Sequence, residues 1–218
     1  MAYRATAICV LALIALVGCG GGSDKKSSSG GDCSQYGSIP SARTTKAPWT
    51  APENPVGLTC KAGLVPEKAE SLQYHVHAHL DVFVNGRPVI VPAGIGIDVD
   101  NPGVKTEKNS SGMVTGAGFV QCDEPCISPL HTHDLSGVLH TETKTPSPND
   151  LGQFFTEWAV RLTSDCIGGY CKPKVPIKIY VNGKVETGDP TQIELSDLRE
   201  IAIVIGSPPA KIPTEFPQ

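Results

Sequence analysis

Histidine is the residue type whose placement points most directly to chemistry in this chain of 218 residues. All six histidines fall in two short segments: His75, His77, His79, His131, His133 and His140. Imidazole is a common ligand of zinc, copper, nickel and iron, so this clustering predicts a transition-metal site. Met113 is the sole methionine after Met1, which disfavours a Cu(I) carrier of the thioether type. We therefore expect a copper or zinc ion as the cofactor.

The first histidine segment has the alternation of a β-strand. Between positions 74 and 84, the even residues are apolar from Val76 onward, and the odd residues from His75 to Asp81 are polar. Successive side chains of a strand point to opposite faces, so the three imidazoles and Asp81 share the face away from the apolar core. Neighbours on one face are about 6.6–6.8 Å apart. Two of the three imidazoles can therefore converge on one ion.

The second segment, residues 130–142, reads as two strands joined by a turn over Asp134–Gly137, and two registers are open. If the loop is Leu135-Ser136, His140 stands opposite His131 and shares its face. If Gly137 adopts the left-handed conformation in a longer loop with a bulge, His140 moves to the other face. Turn chemistry favours the second register. A carboxylate could complete the coordination shell or orient a ligand from outside it, and the candidates are Asp81, Asp134 and Glu142.

The cysteines predict disulfides and an anchor. Leu16-Val17-Gly18-Cys19 follows an apolar run and resembles the lipobox of bacterial lipoproteins, which implies cleavage before Cys19 and its lipidation. An ordinary signal peptide is the alternative. Six cysteines remain, and in an oxidising compartment they predict up to three disulfides. The favoured pairs are Cys166–Cys171, Cys122–Cys126 and Cys33–Cys60, with Cys60 to Cys122 or Cys126 as the competitor and metal-binding thiolates as the minority alternative.

The chain divides into four regions by composition. Residues 1–18 are the predicted signal peptide, and residues 19–55, rich in Gly, Ser, Thr and Pro, are a predicted lipid-anchored linker. Residues 56–206 are one β-rich domain that carries the histidines, and residues 207–218 are a Pro-rich tail. The protein is expected outside the cytoplasm, anchored to a bacterial membrane. A formal net charge of -4 argues against a nucleic-acid partner.

Hairpins and one helix are expected to form the body that positions the histidine segments. Asn85-Gly86 and Asn182-Gly183 each join two β-rich runs, which is a strong hairpin signal. Only one segment reads as a helix, with Ser147 as N-cap, Asp150 at the third helical position and a buried face that runs from Leu151 to Leu162. The sequence thus predicts an α+β, β-rich fold of antiparallel hairpins packed on one helix in the manner of a β-grasp, with a β-sandwich as the alternative.

Three blocks of the domain resemble a largely uncharacterised group of secreted bacterial proteins. The blocks are His-Ala-His-Leu-Asp-Val-Phe-Val-Asn-Gly (77–86), Leu-His-Thr-His-Asp-Leu-Ser-Gly-Val-Leu-His-Thr-Glu (130–142) and Leu-Gly-Gln-Phe-Phe-Thr-Glu-Trp (151–158). The similarity spans roughly residues 60–206. It implies a secreted protein, but the group carries no function that could be transferred to this chain.

Three function hypotheses follow from these residues. The leading one is a lipid-anchored protein that sequesters or delivers a transition metal, with a metal-donor or metal-acceptor protein as its partner. The second is a metal-dependent enzyme in which Asp134 or Glu142 acts as a general base on a metal-bound water. The third is an envelope interaction module whose histidines bind a partner or respond to pH without metal. We expect a non-enzymatic role, and the sequence does not set the oligomeric state.

Overall fold

The structure is a computed structural model that describes residue 1 and residues 32–119 and 121–217. Most of the predicted signal peptide, the lipidation site Cys19 and the first part of the predicted linker lie outside the described residues. None of the helices in the described ranges has the length and apolar character needed to cross a membrane.

The described residues form an α+β, β-rich fold, as predicted. The α-helices are α1 (Pro55–Lys61) and α2 (Leu151–Glu157). The strands are β1 (Tyr74–Val84), β2 (Arg87–Val89), β3 (Val104–Lys108), β4 (Val114–Phe119), β5 (Leu130–His131), β6 (Val138–Thr143), β7 (Cys166–Ile167), β8 (Tyr170–Cys171), β9 (Ile177–Val181), β10 (Lys184–Glu186) and β11 (Arg199–Ile205).

The main sheet is built around β1. Its strand order is β10-β9-β11-β1-β6-β5, and β2 pairs with the second half of β1. β1 runs parallel to β11 and antiparallel to β6, so the sheet is mixed and not purely antiparallel as the hairpin signals suggested. The remaining strands form the small sheets β3-β4 and β7-β8. The described strands therefore do not form the two large facing sheets of a β-sandwich.

Both predicted Asn-Gly hairpins are present. Asn85 and Gly86 have φ values of 50° and 76°, and Asn182 and Gly183 have 48° and 75°. Positive φ at both central residues is the type I′ turn, whose twist matches that of the flanking strands. The first turn joins β1 to β2 and the second joins β9 to β10.

Helix α2 covers the apolar face of the main sheet. The side chains of Phe154, Phe155 and Trp158 are buried, as predicted, in one core with apolar residues of β1 and β11. The N-cap differs from the prediction, since Asp150 and not Ser147 caps the helix. Its side chain accepts a hydrogen bond from the backbone amide of Gln153, and Gln153 Oε1 accepts one from the backbone amide of Asp150.

The helix is also shorter than the sequence predicted. It ends at Glu157, and two residues later the backbone of Ala159 has a φ of 51°, a left-handed conformation that a regular helix cannot contain. Leu162 therefore lies beyond the helix, although the helical spacing of apolar residues had included it.

The packed body starts before residue 56. Trp49 is buried, with its ring 5.6 Å from that of Trp158 between centroids, and Arg43 Nη2 donates to the Trp158 carbonyl at 2.8 Å. The short helix α1, which the sequence did not predict, is joined to residue 33 by the disulfide Cys33–Cys60. Residues 32–54 are thus part of the folded body, although their composition predicts a linker. Their contacts come from single anchoring side chains, which leave no periodic pattern.

All three favoured disulfide pairs are formed: Cys33–Cys60, Cys122–Cys126 and Cys166–Cys171. The first closes the early segment onto α1, and the other two are local. Disulfides persist in oxidising compartments, so these pairs fit a protein that resides outside the cytoplasm. In the C-terminal segment, the Phe216 ring lies 6.1 Å from the ring of His79.

Candidate metal centre

Strand register brings histidines from both segments into one row. His140 on β6 is paired with His77 on β1 and with His131 on β5, so three imidazoles lie side by side across three strands. Glu142, two residues along β6, is paired with His75. These side chains share one face of the sheet. His75 and His77 are two residues apart on β1, His140 and Glu142 are two residues apart on β6, and paired residues on neighbouring strands point to the same face.

The register of the second segment is the one that turn chemistry did not favour. His131 is paired with His140, although Gly137 does adopt the expected positive φ of 88°. The reason is that β5 ends at His131 and residues 132–137 form no tight hairpin. The Thr132 amide donates to Ile95 O, and the Ala117 amide donates to His133 O. This connection is therefore held by the loop before β3 and by β4, and its length does not shift β6.

The nitrogen atoms of His131 and His133 face each other. His131 Nδ1 lies 2.8 Å from Ser128 O, and His133 Nδ1 lies 2.7 Å from Ala117 O. Carbonyl oxygens only accept hydrogen bonds, so both Nδ1 atoms carry a proton, and the neutral tautomer of each ring presents its lone pair at Nε2. The two Nε2 atoms are 3.1 Å apart. Either a shared proton or a metal ion is needed between them.

Two further residues complete a group of potential ligands with His131 and His133. The ligand atoms of these residues, of His140 and of Glu142 all lie within 4.8 Å of one another. Glu142 Oε1 is 3.3 Å from His140 Nδ1 and 3.9 Å from His131 Nε2. Tetrahedral ligands with bonds of 2.0–2.2 Å lie about 3.3–3.6 Å from one another. We call this set (His131, His133, His140 and Glu142) the inner group.

The electrostatics of the inner group suit a cation. Burial and the adjacent His133 lower the pKa of His131 to about 3, so its ring is neutral, which is the form that binds metal. Burial alone would raise the pKa of Glu142, but the hydrogen bond with His140 and the nearby His131 outweigh it and lower the pKa. Glu142 is therefore a carboxylate, and its buried Oε2 has no hydrogen-bond partner.

A second group of histidines shares His140. His77 Nε2 lies 3.1 Å from His140 Nδ1, and the ligand atoms of His75, His77 and His140 are within 4.8 Å of one another. His75 Nε2 is also 3.1 Å from Glu142 Oε1. We call this set (His75, His77 and His140) the outer group, because His75 is the most exposed of the six histidines.

His79 lies apart from both groups and has a different role. Its Nδ1 is 2.7 Å from Glu200 Oε2, and its Nε2 is 2.8 Å from Ser136 O. Burial would lower the pKa of His79, but the hydrogen bond and charge of Glu200 outweigh it and raise the pKa. Both nitrogens face oxygen atoms, so the protonated ring donates at both and has no lone pair left for a metal ion, while burial raises the pKa of its partner Glu200. His79 therefore ties β1 and β11 to the segment that carries His133.

The other predicted carboxylates are not in the inner group. Asp81 Oδ2 lies 3.7 Å from His79 Nδ1, in a set with Glu200. Asp134 Oδ1 accepts a hydrogen bond from the Ser136 amide at 2.8 Å and shapes the turn after His133. Of the three candidates, Glu142 alone lies in the inner group, whereas Asp81 belongs to a third set of potential ligands with His79 and Glu200.

Sequence reasoning missed several residues that support the histidines. Glu70 Oε1 lies 3.6 Å from His133 Nε2, and burial together with Glu142 raises the pKa of Glu70. Glu200 holds His79, and the carbonyls of Ser128 and Ala117 fix the tautomers of His131 and His133. Backbone carbonyls carry no sequence signal. Glu70 and Glu200 lie outside the histidine segments, so only the tertiary fold associates them with the centre.

The chain matches no protein-family model, and comparisons with curated proteins and with solved structures also gave no match.

Proposed function

We propose that this protein is a lipid-anchored, extracytoplasmic metal-binding protein that holds one copper or zinc ion in the inner group, for sequestration or delivery. The observation that carries the proposal is the contact between His131 Nε2 and His133 Nε2 at 3.1 Å, with both Nδ1 atoms committed to carbonyl oxygens. A bound cation between these two lone pairs satisfies both nitrogens at once.

The ligand count favours storage or transfer over catalysis. The inner group offers four protein ligands, three imidazoles and one carboxylate. Zinc sites with four protein ligands are closed, whereas catalytic sites keep one position for water or substrate. The sequence proposed Glu142 as a general base. Its position favours the role of fourth ligand instead, because its Oε1 lies within 4 Å of nitrogen atoms of two ligand histidines.

Elemental mass spectrometry tests the proposal. The protein, with Cys19 replaced by Ala to prevent lipidation, is purified from an oxidising compartment and exposed to equal concentrations of Zn²⁺ and Cu²⁺. We expect about one ion per chain, the content of a single four-ligand shell. His133→Ala/His140→Ala should abolish that content. Both side chains are only partly buried, so the variant should fold.

A matched control separates ligation from damage to the loop. Asp134→Asn keeps the oxygen that accepts the Ser136 amide and removes the charge beside His133, so its metal content should equal that of the parent protein. Absence of metal from the parent protein, even after reconstitution, would reject metal binding. The histidines would then be better interpreted as part of an interaction surface.

A further inference from the structure

We infer that the outer group is a second metal position, through which the ion moves to and from the inner group by exchange of ligands at His140. The inference rests on the proposed metal binding of the inner group. It assigns a function to His75 and His77, which the inner group does not use.

The two groups are joined by shared ligand residues. His140 belongs to both, because register places it opposite His77 on one side and His131 on the other. Glu142 Oε1 reaches both as well, at 3.1 Å from His75 Nε2 and 3.9 Å from His131 Nε2. An ion that moves between the groups therefore keeps His140 and Glu142 within reach while it exchanges the other histidines.

The exposure of the side chains falls from His75 in the outer group, through the shared His140, to His131 in the inner group. The exposed fraction is 33% for the side chain of His75, 17% for that of His140 and 1% for that of His131. Removing a bare cation from the inner group to water would break all of its bonds before new ones form. Stepwise exchange along neighbouring imidazoles avoids this state and lowers the barrier, because each bond broken is replaced by another.

The shared ligands also argue for use of the two positions in turn. The nitrogen of His140 that faces the outer group, Nδ1, is the atom 3.3 Å from Glu142 Oε1. Two divalent ions held this close would repel strongly in a partly buried site with a single carboxylate between the groups. The stoichiometry should therefore remain one ion per chain.

The test compares rates and stoichiometry in the protein with Cys19→Ala and in the same protein with His75→Ala/His77→Ala added. Zn²⁺ uptake and its release to a chromophoric chelator are followed by stopped flow, and bound zinc is counted by elemental analysis. We expect unchanged stoichiometry and uptake and release both slower by about tenfold or more, which corresponds to roughly 1.4 kcal/mol in the barrier. Lys178→Ala/Lys184→Ala removes two exposed side chains from the opposite edge of the same sheet and should leave the rates unchanged.

The possible results are distinguishable. Unchanged rates in the histidine variant would overturn the transfer role of the outer group while leaving the inner group in place. Two ions bound by the parent protein and one by the variant would also overturn it, since the outer group would then be an independent site. No zinc bound by either protein, and no copper bound when Cu²⁺ replaces Zn²⁺, would refute the proposed function itself. Should the double variant unfold, His75→Ala alone, at the most exposed position, gives the same comparison.

Discussion

At the scale of single residues, a buried glutamate supports the metal centre through Ser128. Glu157 in α2 is fully buried and its Oε1 is hydrogen-bonded to Ser128 Oγ, while the carbonyl of Ser128 accepts from His131. Burial raises the pKa of Glu157 to about 8, against hydrogen bonds from Ser128 and Thr59 that lower it. The side chain is therefore a neutral acid at neutral pH.

This neutral acid makes stability depend on pH. Its folded pKa is above its unfolded value of 4.5, so its contribution is complete below pH 4.5 and is lost as the pH rises through about 8. Glu157→Gln keeps an acceptor for the Ser128 hydroxyl and removes the ionisable proton. We expect equal stability of the two proteins near pH 4.5 and a more stable variant above pH 8, by a few kcal/mol at about 1.36 kcal/mol per pKa unit.

Denaturant unfolding between pH 4.5 and 8.5 measures this difference. Metal content of the variant should be unchanged, because the Ser128 carbonyl that orients His131 is part of the backbone. Stability curves that stay parallel across the whole range would show that Glu157 binds the same number of protons in the folded and unfolded states, and thus that the fold does not raise its pKa.

The sequence predicted the chemistry of individual residues better than their roles. The alternation of polar and apolar residues placed His75 and His77 on one face of the strand, and Glu142 was among the candidate carboxylates. His79 follows the same alternation as His75 and His77, yet its two ring nitrogens form hydrogen bonds with Glu200 Oε2 and Ser136 O. No local pattern could separate it from the other histidines, because Glu200 is 121 positions away in the chain.

At the scale of elements, the connection between β5 and β6 sets the position of His133. Gly137 has a φ of 88°, and a Cβ there would lie 2.7 Å from Leu80 O and 3.1 Å from His79 Nε2. The Leu80 amide donates to Gly137 O at 2.9 Å. A side chain at this position would push the connection away from β1.

Gly137→Ala should therefore reduce both stability and metal binding. The left-handed conformation alone costs roughly 1–2 kcal/mol for a residue with a side chain. Gly183→Ala is the matched control, because Gly183 has a similar φ of 75° but sits in the β9–β10 turn against Thr214. We expect thermal unfolding to show a loss in both variants and zinc titration to show weaker binding in Gly137→Ala alone. Equal zinc affinity in the two variants would contradict the role assigned to this connection.

Elements with local signals were predictable, and those set by distant partners were not. The Asn-Gly turns and the buried aromatics of α2 follow from residues close in sequence. The register of β6 depends on bonds from Thr132 and His133 to other segments, so turn chemistry at Gly137 pointed to the wrong face. Helix α1 is only seven residues long and has Gly57 in its first turn, and its sequence gave no helical periodicity.

At the scale of the whole molecule, the parallel pairing of β1 with β11 joins the first and the last strand along the chain. Register from Ala78–Arg199 to Val84–Ile205 places the final strand beside the histidine strand. The continuous apolar run Ile201–Ile205 is typical of a buried strand, but it does not identify the neighbouring strand, because both of its faces are apolar. The same pairing brings Glu200 to His79 and thus supports the metal centre from the opposite side of β1.

The predicted membrane anchor can be tested independently of the metal centre. The inner group is formed by residues 131–142, and the described body begins at Asp32, beyond the predicted lipidation site Cys19. In a bacterial host, the full-length chain should fractionate with membranes and carry acyl chains at its N-terminus by intact mass. Cys19→Ala should move the protein to the soluble fraction, because a single lipobox cysteine carries the lipid. Zinc content per chain should be the same in both forms. A wild-type chain found wholly in the soluble fraction would identify residues 1–18 as an ordinary signal peptide, and the metal centre would then act free of the membrane.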